Sequence, residues 1–239
     1  MGKPELIAFD ADDTLWENEA YYQHGRQLFL EIIQSYPQVI QFDDTILNEI
    51  EMRNLPYFGY GIDGFIFSLL EAAIQITEGR ISGQDLLPLL EYARKMVTAE
   101  IQIFPQVQET LELLAHQIPL LLITKGAALH QKSKVDRSGL AGYFIGVEVV
   151  DDKTSDTYAS ILERYQVTAD KFLMVGNSMR SDILPVLELG GSAVYIPNAL
   201  TWSHEQVELP ANLNVRFIEI DRFELLPGVL NKLKQVENP

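Results

Sequence analysis

The amino-acid sequence predicts an α/β fold, a parallel sheet buried on both faces with one long helical insertion, and three observations carry that prediction. Short runs that are almost continuously apolar, Leu6–Phe9, Ile118–Ile123 and Phe172–Val175, read as strands covered on both sides rather than as the in-and-out alternation of a half-exposed antiparallel sheet. From about Thr98 onward, segments with apolar residues at helical spacing lie between these runs, which is the rhythm of a parallel sheet with crossover helices. Residues 16–100, between the first two runs, show helical periodicity only.

Each element has its own warrant. In the insertion, Tyr21 to Ile33, Ile46 to Met52, Ile62 to Ile76 and Leu86 to Val97 are the candidate helices. The stretch Pro56-Tyr57-Phe58-Gly59-Tyr60-Gly61-Ile62-Asp63-Gly64 reads as a loop that must bend and also touch something, since its glycines and aromatics follow no period. After Pro105 a helix is expected with Val107, Leu111 and Leu114 on one face, and another where Tyr158, Ile161, Leu162 and Tyr165 recur. Gly146 to Val150 is β-like. A helix from Asp182 to Leu189 is stopped by Gly190-Gly191 and leads to a strand over Ala193 to Ile196. A last strand, Val215 to Ile220, and a short closing helix are expected at the end. His204 reads as a surface residue. In such a sheet functional side chains belong at the carboxyl ends of the strands, where Asp10, Thr124 and Asn177 fall.

The first strand delivers acids. Leu6-Ile7-Ala8-Phe9 runs into Asp10-Ala11-Asp12-Asp13-Thr14. Asp13 or Thr14 suits the cap of a following helix, but that leaves Asp10 and Asp12 unexplained. Alternate residues of an extended chain point the same way, and two carboxylates that close are costly unless a cation or a shared proton relieves them. A calcium loop of the EF-hand type does not supply that cation, because it requires Gly at Leu15 and Glu at Tyr21.

The pattern Asp10-x-Asp12-x-Thr14 after an apolar strand resembles the first motif of the haloacid dehalogenase-like superfamily. Three further motifs follow in the family's order: Ile118 to Thr124 with its terminal hydroxyl, Lys153 after Gly146–Val150, and Phe172 to Ser178 leading to Asp182. The resemblance implies a Rossmann-like core over 1–15 and 101–239 and a helical cap over 16–100 that closes over the catalytic crevice. It implies a magnesium-dependent phosphohydrolase acting on a small phosphorylated substrate. Asp10 is then the nucleophile, Asp12 the general acid/base, Thr124 a donor to the phosphoryl group, and Lys153 the cation beside phosphate and Asp10. Asp10, Asp12, Asn177 and Asp182 make the metal site. The chemistry of these residue types agrees: a carboxylate attacks phosphorus, a second carboxyl handles the proton, and a hard, oxygen-preferring cation with a fixed Lys neutralises the anions.

Two departures stand out. Asn177 occupies the place where the fourth motif usually has Asp, which removes negative charge from the metal site, and Thr154 rather than Pro follows Lys153. Alternatives within the superfamily are a 2-haloacid dehalogenase, disfavoured by Asp12, a phosphomutase with the same core residues, and a phosphonate hydrolase, disfavoured because Lys95 is the only lysine of the insertion. A phosphate-sensing module without turnover is the non-enzymatic alternative. Lys125, next to Thr124, is expected to face solvent.

Composition suits a soluble cytoplasmic protein of one large or two small domains. A chain of 239 residues with 47% hydrophobic content buries a full core, and the absence of cysteine excludes disulfides and thiolate metal sites. No signal segment or bilayer-spanning run is apparent. A net charge of −16 argues against a nucleic-acid polymer or an anionic membrane as partner. It leaves small phosphorylated substrates open, because screening confines exposed charges to about 8 to 10 Å. Nothing in the sequence specifies an oligomeric state.

Overall fold

The computed structural model of the protein describes residues 3–37, 39, 44–208, 210 and 216–235. Six strands form one sheet: β1 (Leu6–Phe9), β2 (Leu120–Lys125), β3 (Gly146–Val150), β4 (Phe172–Gly176), β5 (Ser192–Tyr195) and β6 (Phe217–Glu219). Their spatial order is β3-β2-β1-β4-β5-β6, and every pairing is parallel. The order reverses at β1, which pairs Phe9 with Leu122 on one side and with Val175 on the other. Such a reversal opens a crevice at the carboxyl ends of the strands, and the residues after β1 and β4 sit on it.

The continuous apolar runs follow from burial on both faces. Ile7, Phe9, Leu120, Leu122, Leu173 and Val175 pack on one side with Val107, Leu111 and Leu114 of helix α5 (Val107–Ala115) and Leu226 of α9 (Leu226–Gln235). The alternate residues Leu6, Ala8, Leu121, Ile123, Phe172 and Met174 pack on the other side with Tyr158, Ile161 and Leu162 of α7 (Ser155–Tyr165). Period-two geometry thus feeds two cores from the wholly apolar runs Leu6–Phe9, Leu120–Ile123 and Phe172–Val175.

Chain contacts divide the molecule into two units, Met1–Glu19 with Ile101–Pro239, and Ala20–Glu100. The second is all helix: α1 (Glu19–Ile33, entered from the first unit), α2 (Asp44–Phe58), α3 (Ile62–Ile76) and α4 (Gly83–Thr98). Its core gathers Phe29, Ile33, Leu47, Ile50, Leu69 and Leu89. Arg26 reaches Glu51 at 2.6 Å and stands over the Phe65 ring, 5.8 Å from its centroid. Within the first unit, the strand-like segments that lead out of and back into it are tied together. Glu17 N donates to Gln102 O at 3.0 Å, Phe104 N donates to Leu15 O at 3.0 Å, and Trp16 bridges Ile103.

Several boundaries differ from the expectation. The loop expected from Pro56 starts later, because Pro56, Tyr57 and Phe58 complete the last turn of α2; the bend is confined to Gly59–Gly61, where Gly59 and Gly61 have φ of +69° and +112°. The helix expected from Asp182 begins earlier, as a π-helical turn over Met179–Ile183, and continues as α8 (Leu184–Glu188). Helix α6 (Ala128–Ser138) escaped periodicity analysis because it offers only Leu129, which is exposed, and Val135 among polar residues. Of the expected last strand, Phe217–Glu219 is formed, while Val215 lies outside the described residues. Among the described residues no helix is long and apolar enough to cross a membrane.

Gly25 shows packing overriding helix propensity. A Cβ there meets Phe65 Cε1 at 2.8 Å and Tyr92 Cε1 at 3.1 Å, so the glycine lets α1 lie close to α3 and α4. In an exposed helix, Gly→Ala gains about 1 kcal/mol. Here overpacking, typically 1 to 3 kcal/mol, opposes it. Gly25→Ala is therefore expected to lower stability by about 1 kcal/mol in urea unfolding followed by circular dichroism; a gain in stability contradicts this packing.

Candidate active site

The sheet carries Asp10 into the crevice: its backbone N donates to Val175 O at 2.9 Å, so the residue is held one step past β1. Its carboxylate is buried and its two oxygens have different company. Lys153 Nζ donates to Oδ1 at 2.5 Å, and Thr14 Oγ1 donates to Oδ2 at 2.8 Å. The same ammonium donates to Asp182 Oδ1 at 2.7 Å, and its side chain is only 1% exposed. Burial pushes the Asp10 carboxyl up to about 7; Lys153 opposes the rise and Asp182 adds to it. For Lys153 burial works against the charged form, but the two carboxylates outweigh it and hold the ammonium well above its usual range.

Asp182 is placed by the π-helical turn. Its Oδ2 accepts from Ser178 N at 2.9 Å, so Lys153 and the backbone engage both of its oxygens. A Cβ on Gly176 would lie 2.3 Å from Asp182 Oδ2, so only glycine at the end of β4 leaves room for this carboxylate. Tyr158 OH donates to Ser181 O at 3.0 Å and pins the turn from α7. The sequence reading sets Asp182 in the metal site; in the structure one of its oxygens accepts from Lys153.

Asn177 continues the crevice on the other edge of Asp10. Its backbone N donates to Thr14 Oγ1 at 3.1 Å, and its amide faces Asp10 Oδ2 and the Asp12 carbonyl oxygen, each at 3.3 Å. That edge of the amide suits two situations. With nitrogen inward it donates to both oxygens, while its own oxygen accepts from Thr201 Oγ1 at 3.3 Å. With oxygen inward it makes a third oxygen beside a carboxylate and a carbonyl, a donor set that fits a hard divalent cation. Among the described residues no group of three or more His, Cys, Asp or Glu is arranged to hold a metal.

Asp12 sits apart from Asp10 in its contacts. Lys134 Nζ donates to both of its oxygens at 2.6 Å, Gln131 Nε2 to Oδ2 at 2.9 Å, and Trp16 Nε1 to Oδ1 at 2.7 Å. Burial alone would raise this carboxyl, but the charge of Lys134 and the hydrogen bonds from Lys134, Gln131 and Trp16 hold it below the usual carboxylate range. Asp13, in the left-handed region with φ of 63°, accepts from Glu19 N at 2.9 Å and Asn18 N at 3.0 Å, and so caps α1. Thr124 is buried at the end of β2, two residues beyond the Leu122–Phe9 pair, which sets it level with the residues that follow β1.

The contacts sequence reasoning missed are mostly with residues far away in the chain. Gln131 and Lys134, one turn apart on α6, carry the polar spacing that pointed to no helix. Lys125 does not face solvent: it donates to Glu205 Oε1 at 2.5 Å and to Ser181 Oγ at 2.8 Å. Glu205 also accepts from Ser181 Oγ at 2.6 Å and from Ser178 Oγ. His204 is partly buried and takes a hydrogen bond from Arg180 at 2.6 Å beside the Trp202 ring. Two adjacent residues of the 203–205 turn therefore dock on the π-helical turn.

Burial tends to raise Glu205, but Lys125 and the two serine hydroxyls bring it down to about 2 from an ordinary 4.5. A carboxyl depressed in the folded state contributes stability above its unfolded pKa and loses it as pH falls towards the folded one. Glu205→Gln is expected to cost about 3 kcal/mol at pH 7, as breaking a buried pair does, with the gap to wild type closing as pH drops below 4.5 towards 2. Urea titrations across that range check it, and a gap independent of pH contradicts it.

Comparison with known proteins gives this constellation its family. Residues 4–190 match the family of haloacid dehalogenase-like hydrolases. A haloacid dehalogenase-like family hydrolase from Xanthomonas campestris is 35% identical with a TM-score of 0.86, covering 98% of this chain and 93% of that one. A phosphoglycolate phosphatase from Vibrio parahaemolyticus is 27% identical over 94% of this chain and 96% of its own length. The structure of a 2-haloacid dehalogenase from Pseudomonas syringae is 26% identical with a TM-score of 0.61, covering 96% and 99% of the two chains. With the family matched over residues 4–190 and Asp10, Thr14, Lys153 and Asp182 joined in one hydrogen-bonded group, the chain belongs to the haloacid dehalogenase-like hydrolases.

Proposed function

We propose that the protein is a magnesium-dependent phosphomonoesterase acting on a small phosphorylated metabolite through an aspartyl-phosphate. The observation that carries this reading is the pair of carboxyls with separate surroundings: Asp10 buried between Lys153 and Thr14, and Asp12 held two residues on by donors of its own. A haloacid dehalogenase needs the first carboxylate and has no leaving alkoxide to protonate, so a second, separately held carboxyl favours phosphate ester chemistry. The relatives named as phosphoglycolate phosphatases, at 27% identity, support a small phosphomonoester as the substrate class.

In the first half-reaction an Asp10 carboxylate oxygen bonds to phosphorus as the bond from phosphorus to the leaving oxygen breaks. Asp12, ionised in the free protein by the donors around it, takes up a proton from solvent and gives it to the leaving oxygen. In the second, the oxygen of a water bonds to phosphorus, its proton passes to Asp12, and the phosphorus–Asp10 bond breaks. Thr124 and Lys153 hold the phosphoryl oxygens, and Asp182 positions Lys153. Asp10 Oδ2, the Asp12 carbonyl and the Asn177 amide oxygen would hold magnesium, with Asp182 adding negative charge to the site, and the ion would neutralise phosphate and nucleophile charge together. Residues 16–100 serve as the cap that excludes water, and its segment around Tyr57 is the candidate for substrate choice.

Purified protein is expected to hydrolyse p-nitrophenyl phosphate with added magnesium and to stop on chelation by EDTA. Asp10→Asn should keep its fold and no more than a hundredth of the rate, roughly the 10² floor for loss of such a group. Full phosphatase activity in Asp10→Asn, or metal-free turnover of 2-chloropropionate in place of phosphate esters, contradicts the proposal.

A further inference from the structure

The three donors around Asp12 come from two places, and one of them is a charge the reaction scheme above does not use. Trp16 Nε1 approaches Oδ1 at 2.7 Å from the segment that bridges Ile103. Gln131 and Lys134 approach from α6, and each has a second anchor: Gln131 Nε2 donates to Lys125 O at 3.0 Å and Lys134 Nζ to Asn18 Oδ1 at 3.1 Å. Lys134 is the only cation in hydrogen-bond contact with Asp12 among the described residues, and its side chain is 14% exposed. A surface pair of this kind is ordinarily worth little, but this one is mostly enclosed and reinforced by two neutral donors.

We propose that Lys134 is a positioning residue for the proton-transfer carboxyl, fixing the Asp12 side chain in the rotamer from which it meets the leaving oxygen. The inference rests on the acid/base reading of Asp12. Its geometric basis is the two-oxygen contact. A carboxylate has about four lone-pair sites, and here Trp16, Gln131 and both Lys134 contacts fill them. Because Lys134 spans both oxygens, one of its contacts can be given up, which frees the lone pair that the transferred proton occupies, while the other keeps the carboxyl in place. The Asp12 side chain retains 18% exposure, so one edge is open to approach. Lys134 also answers a charge problem that Lys153 does not: Lys153 is committed to Asp10 and Asp182, and without Lys134 the Asp12 carboxylate would stand two residues from Asp10 with no cation of its own. Tight rotameric control matters because small misplacements of a proton donor are costly in rate.

The test uses leaving groups. p-Nitrophenolate departs without a proton, whereas the alkoxide of β-glycerophosphate needs one, and kcat/KM reports the half-reaction in which that proton is given. With magnesium present, Asp12→Asn should lose about 100-fold on β-glycerophosphate and far less on p-nitrophenyl phosphate. Lys134→Met should show the same discrimination, at least about tenfold on β-glycerophosphate against less than about threefold on p-nitrophenyl phosphate, and Lys134→Arg should recover most of it. The ratio of two substrates on one preparation cancels any loss of folded protein, and Lys134→Gln replaces Lys134→Met if the latter is insoluble. Equal losses on both substrates, no loss, or no recovery in Lys134→Arg overturns the positioning role while leaving the acid/base reading intact. If Asp12→Asn itself fails to discriminate, the acid/base reading fails and this inference with it.

Discussion

The constraint on which the rest of the site depends is one buried ammonium shared by two carboxylates. Lys153 lies 2.5 Å from Asp10 and 2.7 Å from Asp182, out of contact with bulk water. Desolvating such a group costs several kcal/mol and is offset only when its hydrogen bonds are complete. That requirement explains features that look unrelated along the chain. Gly176 lacks the Cβ that would strike Asp182, Ser178 N completes the acceptor side of Asp182, and the π-helical turn with Tyr158 below it keeps the carboxylate turned towards Lys153. Thr14 then holds the far oxygen of Asp10 and, through the Asn177 backbone, links the ends of β1 and β4 across the switch point of the sheet.

Charge is arranged in compartments. Asp13 spends its carboxylate on the start of α1, Asp12 is matched by Lys134, and Asp10 and Asp182 share Lys153. Against these four carboxylates stand two ammonium groups, leaving a formal excess of two negative charges if all are ionised. Burial raises Asp10 to about 7 and Asp13 to about 6, and neighbouring carboxylates, Asp182 beside Asp10 and Asp12 beside Asp13, add to the rise. On the proposed reading a divalent cation relieves the excess, and the phosphoryl group enters a site where a Lys and a metal outweigh the distant acidic surface. Asn177 fits the same logic, since an amide supplies a ligand oxygen without adding a further negative charge.

What the sequence made legible were the local features. Apolar runs located the strands, and the spacing of Asp10, Asp12 and Thr14 located the reactive end of β1, because both are set within a few residues by backbone geometry. Asp13 as a helix cap was equally readable. Lys134 and Glu205 were not, because their meaning lies in partners 122 and 80 residues away and their own segments lack an apolar period. The contact of Asp182 with Lys153 was not legible either: an acid near a predicted helix start gives no hint of the π-helical turn that brings the two together. Pro56 marked a loop too early, since the break fell after it, at Gly59.

The shared ammonium is tested most directly by a double-mutant cycle on stability. Both tryptophans, Trp16 and Trp202, lie in the first unit with Lys153 and Asp182, so their fluorescence in urea reports the unit in question. Lys153→Met should cost about 3 to 5 kcal/mol by leaving two buried carboxylates without their cation. Adding Asp182→Asn should restore part of that loss, giving an interaction energy above about 1 kcal/mol, whereas effects that add within about 0.5 kcal/mol would show that Lys153 and Asp182 do not act as a unit.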